Sequence, residues 1–222
     1  MRNFNIQDCI LFEDKEILVC HKPAGIAVQN ARLGTADMES SLKNYLALKN
    51  PGKMPYLGIV HRLDQPVEGI VVFAKNKKAA ASLSAQITDG SMKKVYQAVC
   101  CVTEAGRHWI GNAGKNDQEL IDYMAKDERT NSSAVVKKGQ KDAKEARLSF
   151  RVMAADGLPY VLVEIHLDTG RHHQIRVQMA HAGMPLLGDR KYNPGEISQL
   201  PLGLCSCHLI FRHPITGKKM EF

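Results

Sequence analysis

Short β-rich apolar runs, each cut off by a turn of glycine, proline or small polar residues, constrain this chain more than any other feature. Ile10–Phe12 and Glu16–Cys20 flank the turn Glu13-Asp14-Lys15. Tyr56–Val60, Gly69–Ala74 (GIVVFA) and Val95–Val102 follow, and GIVVFA has the length and continuity of a buried strand. Arg107–Ala113 reads as one more strand. Ala146–Ala154 and Pro159–Leu167 flank Ala155-Asp156-Gly157-Leu158 and predict a hairpin. The chain closes with Leu209–Arg212, a proline-containing turn at His213–Gly217 and a last short strand. Helical signals are fewer. Leu42, Tyr45, Leu46 and Leu48 suit a short amphipathic helix stopped by Asn50-Pro51-Gly52. Lys77–Thr88 carries Ala79, Leu83 and Ile87 at four-residue spacing, with Gly90 as its stop. Arg171–Ala182 predicts a third helix, closed by Gly183 and Pro185. Lys22–Gly25 and residues 31–40 predict loops. Strands that dominate and lie next to each other in sequence imply an α+β class with a mixed, mostly antiparallel sheet and flanking helices, not a doubly wound parallel one.

The length, 222 residues, is within the range of one domain, and neither an internal repeat nor a low-complexity tract divides it. We therefore expect a single domain over residues 1–222, with residues 1–15 as a short N-terminal extension. An apolar fraction of 44% supplies a core, which excludes disorder as the default. Residues 114–145 are polar and lysine-rich, and predict a solvated loop. Their lysines Lys137, Lys138, Lys141 and Lys144 also suit a patch for nucleic-acid phosphates. The net charge of +7 and pI of about 9.1 suit a polyanionic partner or a solubilising surface equally well. Cys9, Cys20, Cys100, Cys101, Cys205 and Cys207 form no CxxC pair, and the first four lie in apolar runs where a reduced thiol acts as a small hydrophobe. That implies reduced thiols and a cytoplasmic address. The first twenty residues contain acids, unlike a secretory signal, and no apolar stretch is long enough to span a membrane.

Three places could carry chemistry. Asp64 follows a strand-like run with His61 and Arg62 beside it. Locally, an acid next to an arginine reads as a surface ion pair before it reads as a catalytic group. Tyr96, in Lys94-Val95-Tyr96, is a β-former that could also stack on a nucleobase and move a proton. The run Asp168–Arg176 leads the third helix, with Ile175, Met179 and Ala182 as its buried stripe and His172 and Arg176 on another face. A helix start presenting Arg171, His172 and Gln174 suits an anion, or is a charged, solvated end.

Taken together and in order, these segments resemble the RluA-like family of pseudouridine synthases. The match is carried by KPAG at Lys22–Gly25 and by HRLD at His61–Asp64, with Gly69 and Ala74-Lys75-Asn76 after it. It continues through Lys94-Val95-Tyr96, TGRHHQIR at Thr169–Arg176 with AHAGMPLLGD after it, and HPITG at His213–Gly217. The resemblance runs from about residue 16 nearly to the end. It implies a catalytic domain around a long, bent, mostly antiparallel sheet, with no metal and no organic cofactor. It aligns Asp64 with the catalytic aspartate, Tyr96 with the active-site tyrosine, and Arg176 with the basic residue that pairs with the aspartate. Arg62 aligns with the arginine that holds RNA with the target base flipped out. His61, Arg171 and Gln174 are further candidate RNA contacts. The implied partner is RNA, a stem-loop of ribosomal or transfer RNA, and a monomer is the simplest state. The chain has no room for the S4-type RNA-binding module that some relatives carry at the N-terminus.

The chain also departs from the family. Where relatives commonly show Arg-Asp-Thr-Ser-Gly after HRLD, it has Gln65-Pro66-Val67-Glu68-Gly69, which puts an acid beside the expected RNA cleft. Leu204-Cys205-Ser206 stands where Leu-His-Ala is common, and predicts a packing difference. Three competing readings follow. One is an RNA-binding protein of the same fold with weakened catalysis, which the altered loop favours and the presence of Asp64, Tyr96 and Arg176 opposes. The second is a metal-dependent hydrolase using His172, His173, His181, Cys205, Cys207 and His208, whose crowded spacing opposes it. The third is a phosphate-binding metabolic enzyme, opposed by the lack of GxxxxGK[ST] and of GxGxxG after a strand.

Overall fold

The computed structural model describes residues 4–30, 35–111, 117–155, 159–195 and 199–222. In chain order the elements begin with β1 (Ile10–Glu13), β2 (Ile17–Lys22), α1 (Met38–Lys49), β3 (Gly58–Ile59), β4 (Glu68–Ala74) and α2 (Lys77–Thr88). Next come β5 (Lys93–Cys101), α3 (Arg107–Ile110), β6 (Gln118–Asp127), β7 (Ser132–Val136), β8 (Lys144–Ala154) and β9 (Tyr160–Leu167). The chain ends with α4 (Gln174–His181), β10 (Leu204–Arg212) and β11 (Lys219–Glu221). It divides into two compact units, residues 1–94 with 206–222, and residues 95–205. No Gly/Ser-rich linker marks either crossing: the chain passes between units inside β5 and again inside β10.

In the first unit the strands run β1-β2-β4-β10, with β3 on β4 and β11 on β10. β2 and β4 pair antiparallel from Ile17 opposite Ala74 to Lys22 opposite Gly69. Side chains alternate across a strand, so Ile17, Val19, Ile70, Val72 and Ala74 share one face. That face joins Leu209 and Phe211 of β10 and is covered by Ala79 and Leu83 of α2. Leu18, Cys20, Val71 and Phe73, on the opposite face, are fully buried too. GIVVFA is therefore continuous rather than alternating because both faces of β4 are covered. α2 has the bounds its spacing predicts, with Asn76 capping it by accepting the Ala79 N–H.

In the second unit the strands run β5-β9-β8-β6-β7, antiparallel throughout. The predicted hairpin is β8 and β9, with Phe150 opposite Ile165. Its turn, Asp156-Gly157-Leu158, lies outside the described residues. Ala146, Leu148, Phe150 and Val152 are buried on alternate positions of β8, and Val161, Val163 and Ile165 on β9. The structure thus has the α+β class and antiparallel pairing that the sequence implies. No helix among the described residues is long and apolar enough to cross a membrane.

Several elements differ from expectation. The predicted loop 114–145 contains β6 and β7. β6 is polar, with only Met124 buried, and is held by backbone pairing to β7 on one side and β8 on the other, which composition does not reveal. Among the described residues, that loop is reduced mainly to the turns at 128–131 and 137–143. The run Tyr56–Val60 shrinks to the two residues of β3, because the ladder to β4 ends at Ile59 opposite Phe73. Arg107–Ala113 is not a strand: a 3-10 turn at Glu104–Gly106 leads into α3, and Ala113 lies outside the described residues. Gly106 sits so close to Gly183 that an added Cβ would be 2.3 Å from its carbonyl oxygen, and Trp109 Nε1 donates to the Ala182 carbonyl at 3.0 Å. These contacts, distant in sequence, set the local turn. α1 begins at Met38, inside the predicted loop 31–40, because Asp37 caps it by accepting the Ser40 N–H; residues 31–34 lie outside the described residues. β1 pairs with β2, so the expected N-terminal extension supplies an edge strand.

α4 starts at Gln174, three residues later than predicted, because His173 takes a left-handed backbone with φ of 55°. Its expected stripe holds for Ile175 and Met179, while Ala182 lies past its end and is half-buried. Gln174, Arg176 and Gln178 are buried as well, so the predicted solvated face does not exist. Gln178 donates to Asp122 Oδ2 at 2.9 Å and to the Ala146 carbonyl at 3.2 Å, which shows how a polar side chain survives there.

Candidate active site

In the first unit Asp64 opens a turn in which its carbonyl accepts the Val67 N–H at 3.0 Å. The buried side chains of Leu63 and Val67 anchor this turn on both sides, and the Asp64 side chain is half-buried. The strongest tether comes from Lys22, at the end of β2. Its side chain is fully buried, and its ammonium donates to the carbonyls of Pro23 at 3.0 Å, Ile26 at 2.7 Å and Gln65 at 3.2 Å. Three N–H donors meet three carbonyls. The Gly25 N–H also donates to the Gln65 carbonyl at 2.8 Å, and Gln65 Nε2 returns a bond to the Gly25 carbonyl at 3.0 Å. KPAG and HRLD, forty residues apart in sequence, are thus one structural unit. Burial pulls the Lys22 ammonium down to about 8, against the pull of the Asp64 and Glu68 carboxylates, which favour its charge. Sequence reasoning quoted Lys22 as part of a motif and missed this role; a lysine ending an apolar strand before proline was the available signal.

The HRLD neighbours separate into different roles. Arg62 is exposed. His61 turns inward, and its Nε2 accepts the Val72 N–H at 3.1 Å, which continues the β3–β4 ladder with a side chain where the strand leaves off. Burial, reinforced by Lys94, lowers its pKa to about 3, so the ring is neutral and carries its proton on Nδ1. His61 therefore acts as a structural latch through Nε2. In the departure loop, Gln65, Pro66 and Glu68 are exposed. Gly69, at φ of 129°, packs so tightly on Ser206 that an added Cβ would be 2.3 Å from the Ser206 carbonyl oxygen. The unusual Ser206 is thus in backbone contact with the strand that follows the Asp64 turn.

In the second unit Tyr96 stands in β5 opposite Ile165 and is 6% exposed. Arg176, in α4, makes a two-pronged pair with Asp189: Nε to Oδ2 at 2.8 Å and Nη2 to Oδ1 at 2.8 Å. Burial works against the charge of Asp189, but Arg176 and the N–H groups of Lys191 and Tyr192 outweigh it, and its carboxyl titrates below the usual range. Asp189 is a functional candidate that sequence reasoning missed; it ends the AHAGMPLLGD segment but has no local feature marking it. Gln174 is enclosed. Its Oε1 accepts Thr169 Oγ1 at 2.8 Å and the Arg171 N–H at 2.9 Å, and its Nε2 donates to the Arg147 carbonyl and Gln178 Oε1. All four hydrogen-bonding positions of the amide are used, so Gln174 braces the loop from a buried position. Arg171 is exposed, with Nε on the Glu145 carbonyl at 2.8 Å. It lines a cleft of about 520 Å³ together with His172, Lys126 and Lys144, and with Glu128 and Asp142. Of the four lysines singled out in the sequence, Lys144 reaches this cleft.

His172 and His173 lie ahead of α4 with rings stacked at 3.7 Å, instead of on different faces of a helix. Among the described residues no group of three or more His, Cys, Asp or Glu side chains is arranged to hold a metal ion.

A family model described as RNA pseudouridylate synthase matches residues 16–181. The chain belongs to the RNA pseudouridylate synthase family. It is 32% identical to ribosomal large subunit pseudouridine synthase D of Zymomonas mobilis over 96% of its own length and 67% of that protein's. It is 33% identical, with the same coverage, to the uncharacterized RNA pseudouridine synthase YlyB of Bacillus subtilis. Against tRNA pseudouridine synthase C of Vibrio cholerae it is 28% identical over 95% of its length and 88% of that protein's. Among solved structures, human RNA pseudouridylate synthase domain containing 4 superposes with a TM-score of 0.75 at 22% identity, covering 97% of this chain and 87% of that one, which establishes the shared fold.

Proposed function

We propose that this chain isomerises specific uridines in structured ribosomal or transfer RNA to pseudouridine, with Asp64 as the nucleophile and without metal or organic cofactor. A uridine inside a stem must be extruded, at a cost of a few kcal/mol. A basic surface and an aromatic platform offset that cost. The carboxylate of Asp64 attacks, the N1–C1′ bond breaks, the uracil turns and a C5–C1′ bond forms. Asp64 is released as that bond forms, the C5 proton is lost to a base, Tyr96 or a water beside it, and N1 takes up a proton, so that product and substrate have the same atoms. Arg176 supplies the positive charge of the proposed catalytic set. Arg62 and Arg171, both exposed, engage RNA phosphates or the flipped nucleotide's neighbours. The observation that carries this reading is the Asp64 turn itself, which the buried Lys22 ammonium ties to the KPAG loop. A nucleophile needs that kind of fixed backbone. We further propose that residues 1–222 act as one catalytic domain, as a monomer, in the cytoplasm; the six cysteines are free thiols.

The second reading is an RNA-binding protein with weakened catalysis, favoured by the exposed acid Glu68 four residues after Asp64. Pseudouridine mapping of total RNA from the host, with and without the gene, separates the two. A site that disappears on deletion, returns with the wild-type gene and does not return with Asp64→Asn assigns substrate and nucleophile together. Restoration by Asp64→Asn would overturn the role of Asp64, and an unchanged map with retained RNA binding would favour the second reading.

A further inference from the structure

The Asp189 carboxylate is not the only group that holds Arg176. The guanidinium also lies over the ring of Tyr192, 5.0 Å from carbon to centroid. Asp189 and Tyr192 belong to one turn, in which Asp189 Oδ1 accepts the N–H groups of Lys191 at 3.0 Å and of Tyr192 at 3.2 Å. A two-pronged carboxylate pair leaves a guanidinium free to tilt about the line joining its two bonds. A ring against its face removes that freedom.

Tyr192 is itself pinned. Its hydroxyl accepts the Ser133 N–H at 2.9 Å and lies 2.6 Å from His173 Nδ1. The backbone N–H donates, so the hydroxyl oxygen accepts there, and the same hydroxyl shares a hydrogen bond with His173 Nδ1. Burial, with the charges of Arg176 and Lys191 and the neighbouring His172, brings the pKa of His173 down to about 3, and the ring stays neutral. His173 adopts the left-handed backbone, rare outside glycine and asparagine, that delivers this ring to Tyr192. His172 stacks on it at 3.7 Å and is bonded to Ser133 Oγ at 2.8 Å. Ser133 thus braces both branches, its N–H on Tyr192 and its hydroxyl on His172.

We propose that Tyr192 and His173 are positioning residues for the reaction, fixing the plane of the Arg176 guanidinium so that the three N–H donors Asp189 does not use keep one direction. The inference rests on the proposed catalytic role of Arg176. It explains why the motif carries a ring at His173 in an unfavourable backbone conformation and why an aromatic follows Asp189 by three residues.

The test uses the full chain, with an RNA on which the wild type forms pseudouridine, and two variants. Tyr192→Phe keeps the ring and loses the link to His173; Tyr192→Leu loses both. The expected result is a kcat lowered about threefold in Tyr192→Phe and about tenfold or more in Tyr192→Leu, with KM nearly unchanged. In arginine-labelled protein the Arg176 Nε–H resonance exchanges faster in Tyr192→Leu than in the wild type. A folded Tyr192→Leu with wild-type kcat and wild-type Arg176 Nε–H exchange overturns the proposal, as does a loss of activity that only tracks the folded fraction. If Tyr192→Leu does not fold, an unchanged kcat in Tyr192→Phe overturns it. A wild type inactive on every RNA would remove the functional reading and this inference together, whereas the outcomes above strike only the inference.

Discussion

Lys22 gives a stability prediction of unusual sign. An ordinary lysine titrates near 10.5, and burial brings Lys22 down to about 8, with Asp64 and Glu68 opposing the drop. Between those two values the unfolded chain holds a proton that the folded chain has released. Stability contributed by this site therefore rises with pH. The penalty for burying the charge is fully present below about 8 and is relieved as pH climbs towards 10.5. At about 1.4 kcal/mol for each pH unit, the whole interval amounts to about 3 kcal/mol, of which about 2 to 3 kcal/mol falls between pH 7 and pH 10. At neutral pH this cost is set against three charge-assisted bonds to the carbonyls of Pro23, Ile26 and Gln65, so the sign of a Lys22 substitution there is not diagnostic. The difference in pH dependence is. Urea unfolding of the wild type and Lys22→Met at constant salt, from pH 7 to pH 10, cancels groups that titrate alike in both. The wild type should gain about 2 to 3 kcal/mol relative to the variant across that range. Parallel stability curves would refute the reasoning, since they would mean that water reaches the ammonium and its pKa is not depressed.

Two further outcomes follow from other sites. Tyr96→Phe keeps a ring able to stack on a base and removes the hydroxyl; turnover should fall by at least about tenfold while RNA affinity changes less than about threefold, measured by single-turnover kinetics and filter binding. Gly69→Ala places a methyl 2.3 Å from the Ser206 carbonyl oxygen at φ of 129°, and should destabilise the chain by about 2 kcal/mol or more in a denaturant melt; a stability within about 0.5 kcal/mol of wild type would show that the β4–β10 approach is not tight.

Much of the first unit was legible because its elements are strongly patterned. α2 has the bounds that Ala79, Leu83 and its glycine stop predict, and GIVVFA became a strand buried on both faces. β6 and β7 were not legible, since β6 is a polar strand held between β7 and β8 by main-chain bonds that leave no periodic trace. The start of α4 was misplaced for a related reason: His173 pairs with Tyr192, nineteen residues away, and that pairing outweighs the local helical pattern.

By itself the sequence determined the class of fold, the family and the identities of Asp64, Tyr96 and Arg176 as the residues to test, because short ordered motifs and strand periodicity are local properties. Only the tertiary structure assigned roles within those motifs. It turned His61 into a neutral latch on β4, enclosed Gln174 in four hydrogen bonds, made Lys22 the tether of the Asp64 turn, and gave Arg176 a carboxylate and a ring to rest on. Each of these roles depends on what surrounds a side chain in space, on burial, on which backbone groups lack a partner and on which charge is near, and none of these is written in the spacing of residues along the chain.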